Sequence, residues 1–158
     1  MFFLSSDDSA GYLTAHGVEV DSLESHILEL GQSAEAFDLE KAISFGLCRQ
    51  FVAAMDFRTW SLLYVYNKGT APSLQNWHLY YRLRTAYGNS EKLDKSPGHL
   101  FLDFERADLS TFLYVCASFG LGFFLCCEQQ GIWLASRGDG IGLVSPKLIE
   151  DLPHRLAR

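Results

Sequence analysis

The sequence predicts an α+β fold in which a mainly antiparallel sheet of about five strands packs against helices. Three observations lead to this prediction. Helical patterns come first along the chain, and strand patterns joined by short glycine-containing turns cluster after residue 120. Strand and helix do not alternate as they would in a parallel βαβ array. A length of 158 residues with 48% hydrophobic residues suits a single domain over 1–158 with a full core.

Apolar residues at helical spacing predict four helices. The helix predicted over 38–55 carries Ile43, Leu47, Phe51 and Met55 at intervals of four, which is typical of a buried face. Asp21 with Glu24 three residues later forms a capping-box pattern for the first helix. The predicted helices are 21–30, 38–55 with Asp38 as N-cap, 74–87 and 105–119, and residues 5–17 form a loop or a short helix.

Alternating side chains predict the strands. From residue 59 to 67, Trp60, Leu62, Tyr64 and Tyr66 alternate with Ser61, Leu63 and Val65, so both faces of this strand are apolar and we expect it to be central in the sheet. Turn residues at 129–131 and 137–140 then separate three further strands. The predicted strands are 59–67, 99–104, 121–128, 131–136 and 140–145.

The four cysteines all lie in apolar surroundings and lack the spacing of a zinc site. We therefore expect small core hydrophobes, with no disulfide, metal or cofactor, in a reducing cytoplasm. No apolar run is long enough to cross a bilayer and no signal peptide is recognisable, so we expect no contact with a membrane.

Charge is distributed unevenly along the chain. The net charge is −6, but residues 1–40 carry nine acids and no lysine or arginine. Phosphate repulsion opposes nucleic acid as a partner of this region, whereas a protein with a basic cleft is attracted. The residues predicted to bind such a partner are four acids and two aromatic anchors, namely Asp21, Glu24, Glu29, Glu35, Trp77 and Trp133. The alternative is that the acidic face only keeps the chain soluble.

Motifs for catalysis are weak. The sequence lacks a P-loop, a dinucleotide-binding glycine motif and the His-Glu-x-x-His pattern. His99, at a strand start beside Asp103 and Glu105, is the one histidine that could serve as a general acid or base. The alternative is that His99 hydrogen-bonds the adjoining loop and fixes its path. No residue is assigned as catalytic.

The middle of the chain carries a series of residues that resembles a known family. The residues are Pro72-Ser73, Asn76, His78 to Tyr81, Leu83-Arg84, Pro97 to Leu102, Glu105 and Asp108-Leu109. They are similar to those of a family of uncharacterised bacterial α+β proteins of the toxin-immunity type. Members carry Gly-Trp-Asp where this chain has Gly120-Leu121-Gly122. The resemblance covers about 40% of the chain, implies a binding role and brings no catalytic residue with it.

Together these observations lead us to expect a cytoplasmic inhibitor of the immunity type that occludes a toxin or enzyme through an acidic surface. Two alternatives stay open. One is a small enzyme that uses His99 with a carboxylate, and the other is a non-catalytic adaptor or accessory protein. An enzyme should bring His99 and a carboxylate together in a concave pocket, whereas an inhibitor should spread its acids over an open face.

Overall fold

The computed structural model describes residues 1–16, 35–38, 43–55, 58–67, 74–127, 131–137 and 141–144. These described residues form seven strands, four α-helices and one 3-10 turn. The strands are β1 (Phe2–Leu4), β2 (Glu35–Asp38), β3 (Trp60–Asn67), β4 (Gly98–Leu102), β5 (Gly122–Cys127), β6 (Gly131–Arg137) and β7 (Ile141–Val144). The helices are α1 (Ser6–Ala15), α2 (Phe45–Ala54), α3 (Leu74–Ala86) and α4 (Arg106–Ser118), with the 3-10 turn at Asp103–Glu105.

All seven strands belong to one sheet in the order β1-β4-β3-β5-β6-β7-β2. Every neighbouring pair is antiparallel. The predicted α+β class is therefore confirmed, and β3 is central as predicted. Two short strands extend the predicted sheet, because β1 pairs with β4 at one edge and β2 pairs with β7 at the other.

Alternation along the strands gives the sheet two apolar faces. Leu63, Phe101 and Phe123 belong to the larger core cluster, which also includes buried side chains of α2 and α4. On the other face of the sheet, Leu62 and Leu100 pack with Leu13 of α1 in a second cluster. The helix predicted over 105–119 forms α4, and its apolar stripe is fully buried, at Leu109, Phe112, Leu113 and Cys116.

Two predicted boundaries are wrong. Asp38 was expected to cap a helix over 38–55, but it ends β2, opposite Ile141. The helix begins at Phe45 instead, because the hydroxyl of Ser44 accepts a hydrogen bond from the amide of Leu47. The strand predicted over 99–104 ends at Leu102, where the chain turns into the 3-10 segment. The helix predicted over 21–30 lies outside the described residues.

The four cysteines are buried, as predicted for small core residues, and their thiols are free. Burial raises the pKa of the Cys48 thiol to about 12, so this thiol is protonated and unreactive near neutral pH. Among the described helices, none combines the length and the apolar character needed to cross a membrane.

Candidate functional site

Only some of the residues predicted to bind a partner lie in the part of the chain that the structure describes. Asp21, Glu24 and Glu29 lie outside the described residues. Glu35 begins β2, the edge strand at the far side of the sheet from β1, with its backbone opposite Val144. The backbone of Trp133 is the extra residue of a β-bulge, since Ile132 pairs with Cys126 and Leu134 with Leu125. For these residues the binding role stays a prediction.

Trp77 is described with its side chain, which is half-buried. Its ring stacks on Tyr81, with 5.7 Å between the ring centroids, and meets Tyr80 edge to face at 6.0 Å. The Trp77 side chain also packs against the larger core cluster. These contacts place Trp77 partly on the inward side of α3, so its ring helps to hold this helix on the core.

His99 lies on β4 and is completely buried. Its Nδ1 lies 2.9 Å from the carbonyl oxygen of Pro97, which can only accept a hydrogen bond, so Nδ1 carries the proton and donates it. Nε2 of the neutral ring is then an acceptor, and the hydroxyl of Tyr80 donates to it over 2.8 Å. The hydrogen-bonding partners thus fix one tautomer of His99.

Arg84 extends this network toward the loop that follows α3. Its side chain is fully buried. One terminal nitrogen donates to the Tyr80 hydroxyl over 3.4 Å, and the other donates to the Ser96 carbonyl over 2.8 Å and to the Asn89 side chain over 3.2 Å. The Ser96 hydroxyl is a further acceptor. The guanidinium carbon lies 5.0 Å from the centre of the Phe3 ring, so a cation–π contact links α3 to β1.

Arg84 forms no ion pair with a carboxylate of the described residues. Its partners there are neutral oxygens and aromatic rings, and its Nε has no partner. Burial, with the nearby Arg84 charge as a second cause, lowers the pKa of His99 to about 3. Burial also raises the pKa of the Tyr80 hydroxyl well above its ordinary value. The network therefore holds a fixed set of protons near neutral pH.

The carboxylates near His99 in sequence lie elsewhere in space. Asp103 binds Arg106 through Nε at 2.9 Å and through a terminal nitrogen at 2.7 Å. Glu105 accepts a hydrogen bond from the amide of Leu102 over 2.8 Å and pairs with the amino group of Met1. Neither carboxylate is a hydrogen-bond partner of His99, so the arrangement expected of the enzyme alternative is not formed by these residues.

The same contacts rigidly hold the turn that carries Phe104. Arg106 also donates from its other terminal nitrogen to the carbonyls of Val52 and Met55, at 3.1 Å and 2.9 Å. These carbonyls lie at the C-terminal end of α2, where the helix dipole favours a cation. The turn is therefore tied both to the sheet and to α2. Phe104, between the two acids, is 81% exposed and is the most exposed large hydrophobic residue among those described.

Phe2 is the second most exposed large hydrophobic residue of the described chain, at 57%. It lies on the edge strand β1, opposite Leu100 of β4. Met1 precedes Phe2 and Glu105 follows Phe104, and the Met1 amino group contacts the Glu105 carboxylate. The fold thus brings Phe2 and Phe104 to the same edge of the sheet, and we call these two residues the edge aromatic pair.

Sequence reasoning did not select the edge aromatic pair. Phe104 has the pattern of a strand residue, and its exposure depends on where β4 ends. One local signal was available, since Phe104 stands between Asp103 and Glu105, and acids on both sides of an aromatic residue indicate a solvent-facing turn. Phe2 offered no signal, because its position depends on pairing with a strand almost 100 residues away.

Comparison of the chain with protein-family models, characterised proteins and solved structures gave no match in any of the three searches. The resemblance to immunity-type proteins therefore stays a prediction.

Proposed function

We propose that the chain is a cytoplasmic protein-binding inhibitor of the immunity type, which occludes a partner toxin or enzyme. The observation that carries this proposal is the edge aromatic pair. Aromatic side chains are enriched in protein interfaces, and a few such anchors carry most of the binding energy. Because the Phe104 turn is already held by Glu105 and Arg106, little conformational entropy is lost when a partner covers it.

The charge of the chain supports a basic partner. Asp7 and Asp8, the first two of the nine acids in residues 1–40, are exposed in the first turn of α1. α1 follows β1 directly, so these carboxylates lie on the strand-and-helix unit that also presents Phe2. Acids around an aromatic anchor speed association with a basic surface and disfavour acidic competitors.

The geometry of His99 weighs against the enzyme alternative. A general acid or base needs solvent or substrate access and a pKa near the working pH. His99 has neither, since it is buried and its pKa is lowered to about 3. Its two ring nitrogens are occupied by Pro97 and Tyr80. These contacts support the role in which His99 fixes the path of the loop before β4.

Site-specific photocrosslinking tests the proposal. Phe104 is replaced by p-benzoylphenylalanine in the cells that make the chain, and Ser118, an exposed residue at the other end of α4, is replaced in a matched control. We expect position 104 to capture one protein with a basic surface, and position 118 to capture little of it. The purified captured protein should lose its activity on addition of one equivalent of the unmodified chain.

Two results would contradict the proposal. One is equal capture of many proteins at both positions, which would mean that Phe104 is merely exposed. The other is a single captured protein whose activity is unchanged when the complex is saturated, which would favour an adaptor over an inhibitor.

A further inference from the structure

A partly enclosed cleft lies where α1 begins, β3 ends and the loop before β4 passes. Its volume is about 190 Å³. Val65, Leu93 and Pro97 are buried and form its apolar floor. The remaining lining residues are the aromatic Tyr64 and Tyr66 and the polar Ser6 and Asp94.

The walls of the cleft are held by contacts on their far sides. The Tyr64 ring stacks on Phe124 with 5.1 Å between centroids. The Tyr66 hydroxyl donates to the carbonyl of Ser136 over 2.7 Å. The carbonyl of Pro97 accepts from the amide of Val65 over 3.2 Å as well as from His99. The cleft is therefore formed before any ligand enters, and entry requires little rearrangement.

The one charged residue among those that line the cleft is acidic. Asp94 is exposed and makes no hydrogen bond or ion pair with another described residue, so its carboxylate is available to a ligand. Asp7 and Asp8 directly follow Ser6 in the first turn of α1 but do not themselves line the cleft. Lys92 and Lys95 belong to the same loop as Asp94 but do not line the cleft.

The size of the cleft limits what it can hold. Drug-sized ligands occupy pockets of roughly 300–1,000 Å³, whereas a cavity of about 150 Å³ holds one benzene molecule. A volume near 190 Å³ suits one amino-acid side chain. An apolar floor, aromatic walls and a carboxylate at the rim match a side chain with an aliphatic stem and a cationic end.

We propose that this cleft receives one lysine or arginine side chain of the protein partner. The stem lies against Pro97 and the rings of Tyr64 and Tyr66, and the cation pairs with Asp94. This inference rests on the proposed function, because it requires that the chain binds a protein partner with a basic surface. It also predicts that the partner presents a basic residue at the end of β3 away from Phe104, since Tyr64 pairs with Gly98 and Trp60 with Leu102.

The cleft is tested on the purified chain with small probes, without any partner. The probes are the Nα-acetyl methylamides of arginine and lysine, and the neutral probe is the same derivative of norleucine. We expect both cationic probes to shift the backbone amide resonances of Ser6, Tyr66 and Asp94 saturably, with the neutral probe binding about ten-fold more weakly. Equal affinity for the neutral probe, or no saturable shift, would overturn the inference.

Two variants distinguish direct pairing with Asp94 from long-range attraction by the negative charge of the chain. Asp94→Asn should lower the affinity for the cationic probes about ten-fold, because the charge-assisted contact is lost. Glu91→Gln removes an exposed acid of the same loop that does not line the cleft and should leave probe affinity unchanged. If both variants weaken binding equally, the attraction is only long-range charge, and the proposed pairing with Asp94 is wrong.

Failure of the cleft and failure of the proposed function give different results. If Asp94→Asn leaves both probe and partner affinity intact while Phe104 still captures an inhibited partner, the inference fails and the function stands. If the probes bind as expected but no protein is captured at position 104, the cleft stands and the inhibitor function fails.

Discussion

Nε2 of His99 lies 2.8 Å from the hydroxyl oxygen of Tyr80, and this hydrogen bond joins β4 to α3 inside the core. With Nδ1 donating to Pro97, every polar atom of the His99 ring is used in its neutral form. A proton added to Nε2 would remove the acceptor that the Tyr80 hydroxyl needs. The contact therefore stabilises the fold only while His99 is uncharged.

A steep pH dependence of stability follows from this contact. The pKa of His99 is about 3 in the folded chain and 6.5 without burial. Between these values the unfolded chain binds one more proton, so this contribution to the free energy of unfolding is complete above about pH 6.5 and is lost as the pH falls toward 3. The slope approaches about 1.4 kcal/mol per pH unit.

Urea denaturation over this pH range, with wild type compared with His99→Gln, checks the pH prediction. The variant should be less stable near neutral pH, and the gap should close as the pH falls, because the variant has no imidazole to protonate. His78→Gln, which replaces an exposed histidine of α3, should keep the steep wild-type dependence. A gap between wild type and His99→Gln that stays constant with pH would show that His99 is not buried in its neutral form.

Arg84→Lys should destabilise the chain although the charge is kept. The two terminal nitrogens of Arg84 reach the Tyr80 hydroxyl and the Ser96 carbonyl at the same time, and an ammonium group cannot span both. We expect a loss of about 2 kcal/mol or more in the free energy of unfolding. Arg82→Lys, two residues away and exposed on the same helix, should change stability by less than about 0.5 kcal/mol. Equal effects of the two variants in chemical denaturation would contradict the network.

Gly98→Ala should weaken the attachment of β1 and α1 to the sheet. A Cβ atom at Gly98 would overlap the Ser9 hydroxyl and come within 3.1 Å of the Leu4 Cβ atom. We expect thermal and urea unfolding to show a loss of about 1–3 kcal/mol, the usual effect of overpacking. Gly11→Ala, where a Cβ meets nothing within 4 Å, should instead stabilise α1 by about 0.5–1 kcal/mol.

The double variant Ser9→Ala/Gly98→Ala gives a check on the cause. Removing the Ser9 hydroxyl relieves the closest overlap, so part of the lost stability should return. No recovery would mean that Leu4, whose Cβ atom would lie 3.1 Å from the new Cβ, is the main obstacle.

Local periodicity was sufficient for the central part of the fold. The two apolar faces of β3 and the buried stripe of α4 follow from spacing, because each face packs against a large core cluster. Asp38 shows where local signals fail. An aspartate before an apolar run has the same sequence pattern whether it caps a helix or ends a strand, and pairing with Ile141 of β7 decides the outcome.

The candidate site was harder to predict because it depends on contacts between distant segments. Arg84 lies on the inward side of α3. Its complete burial depends on Asn89 and Ser96 from the following loop and on Phe3 from β1. Phe104 became exposed because β4 ends at Leu102, two residues earlier than predicted. Such endings are set by tertiary contacts, here those of Glu105 and Arg106, and not by the local pattern.

The affinity of the purified chain for the protein captured at position 104 tests the central claim most directly. The measurement compares wild type, Phe104→Ala and Phe45→Ala, which truncates another exposed aromatic residue at the start of α2. If the edge aromatic pair is the anchor, Phe104→Ala should weaken binding by about 2 kcal/mol, or roughly 30-fold, while Phe45→Ala stays close to wild type. Wild-type affinity of Phe104→Ala, with the variant folded, would contradict the claim that this edge of the sheet binds the partner.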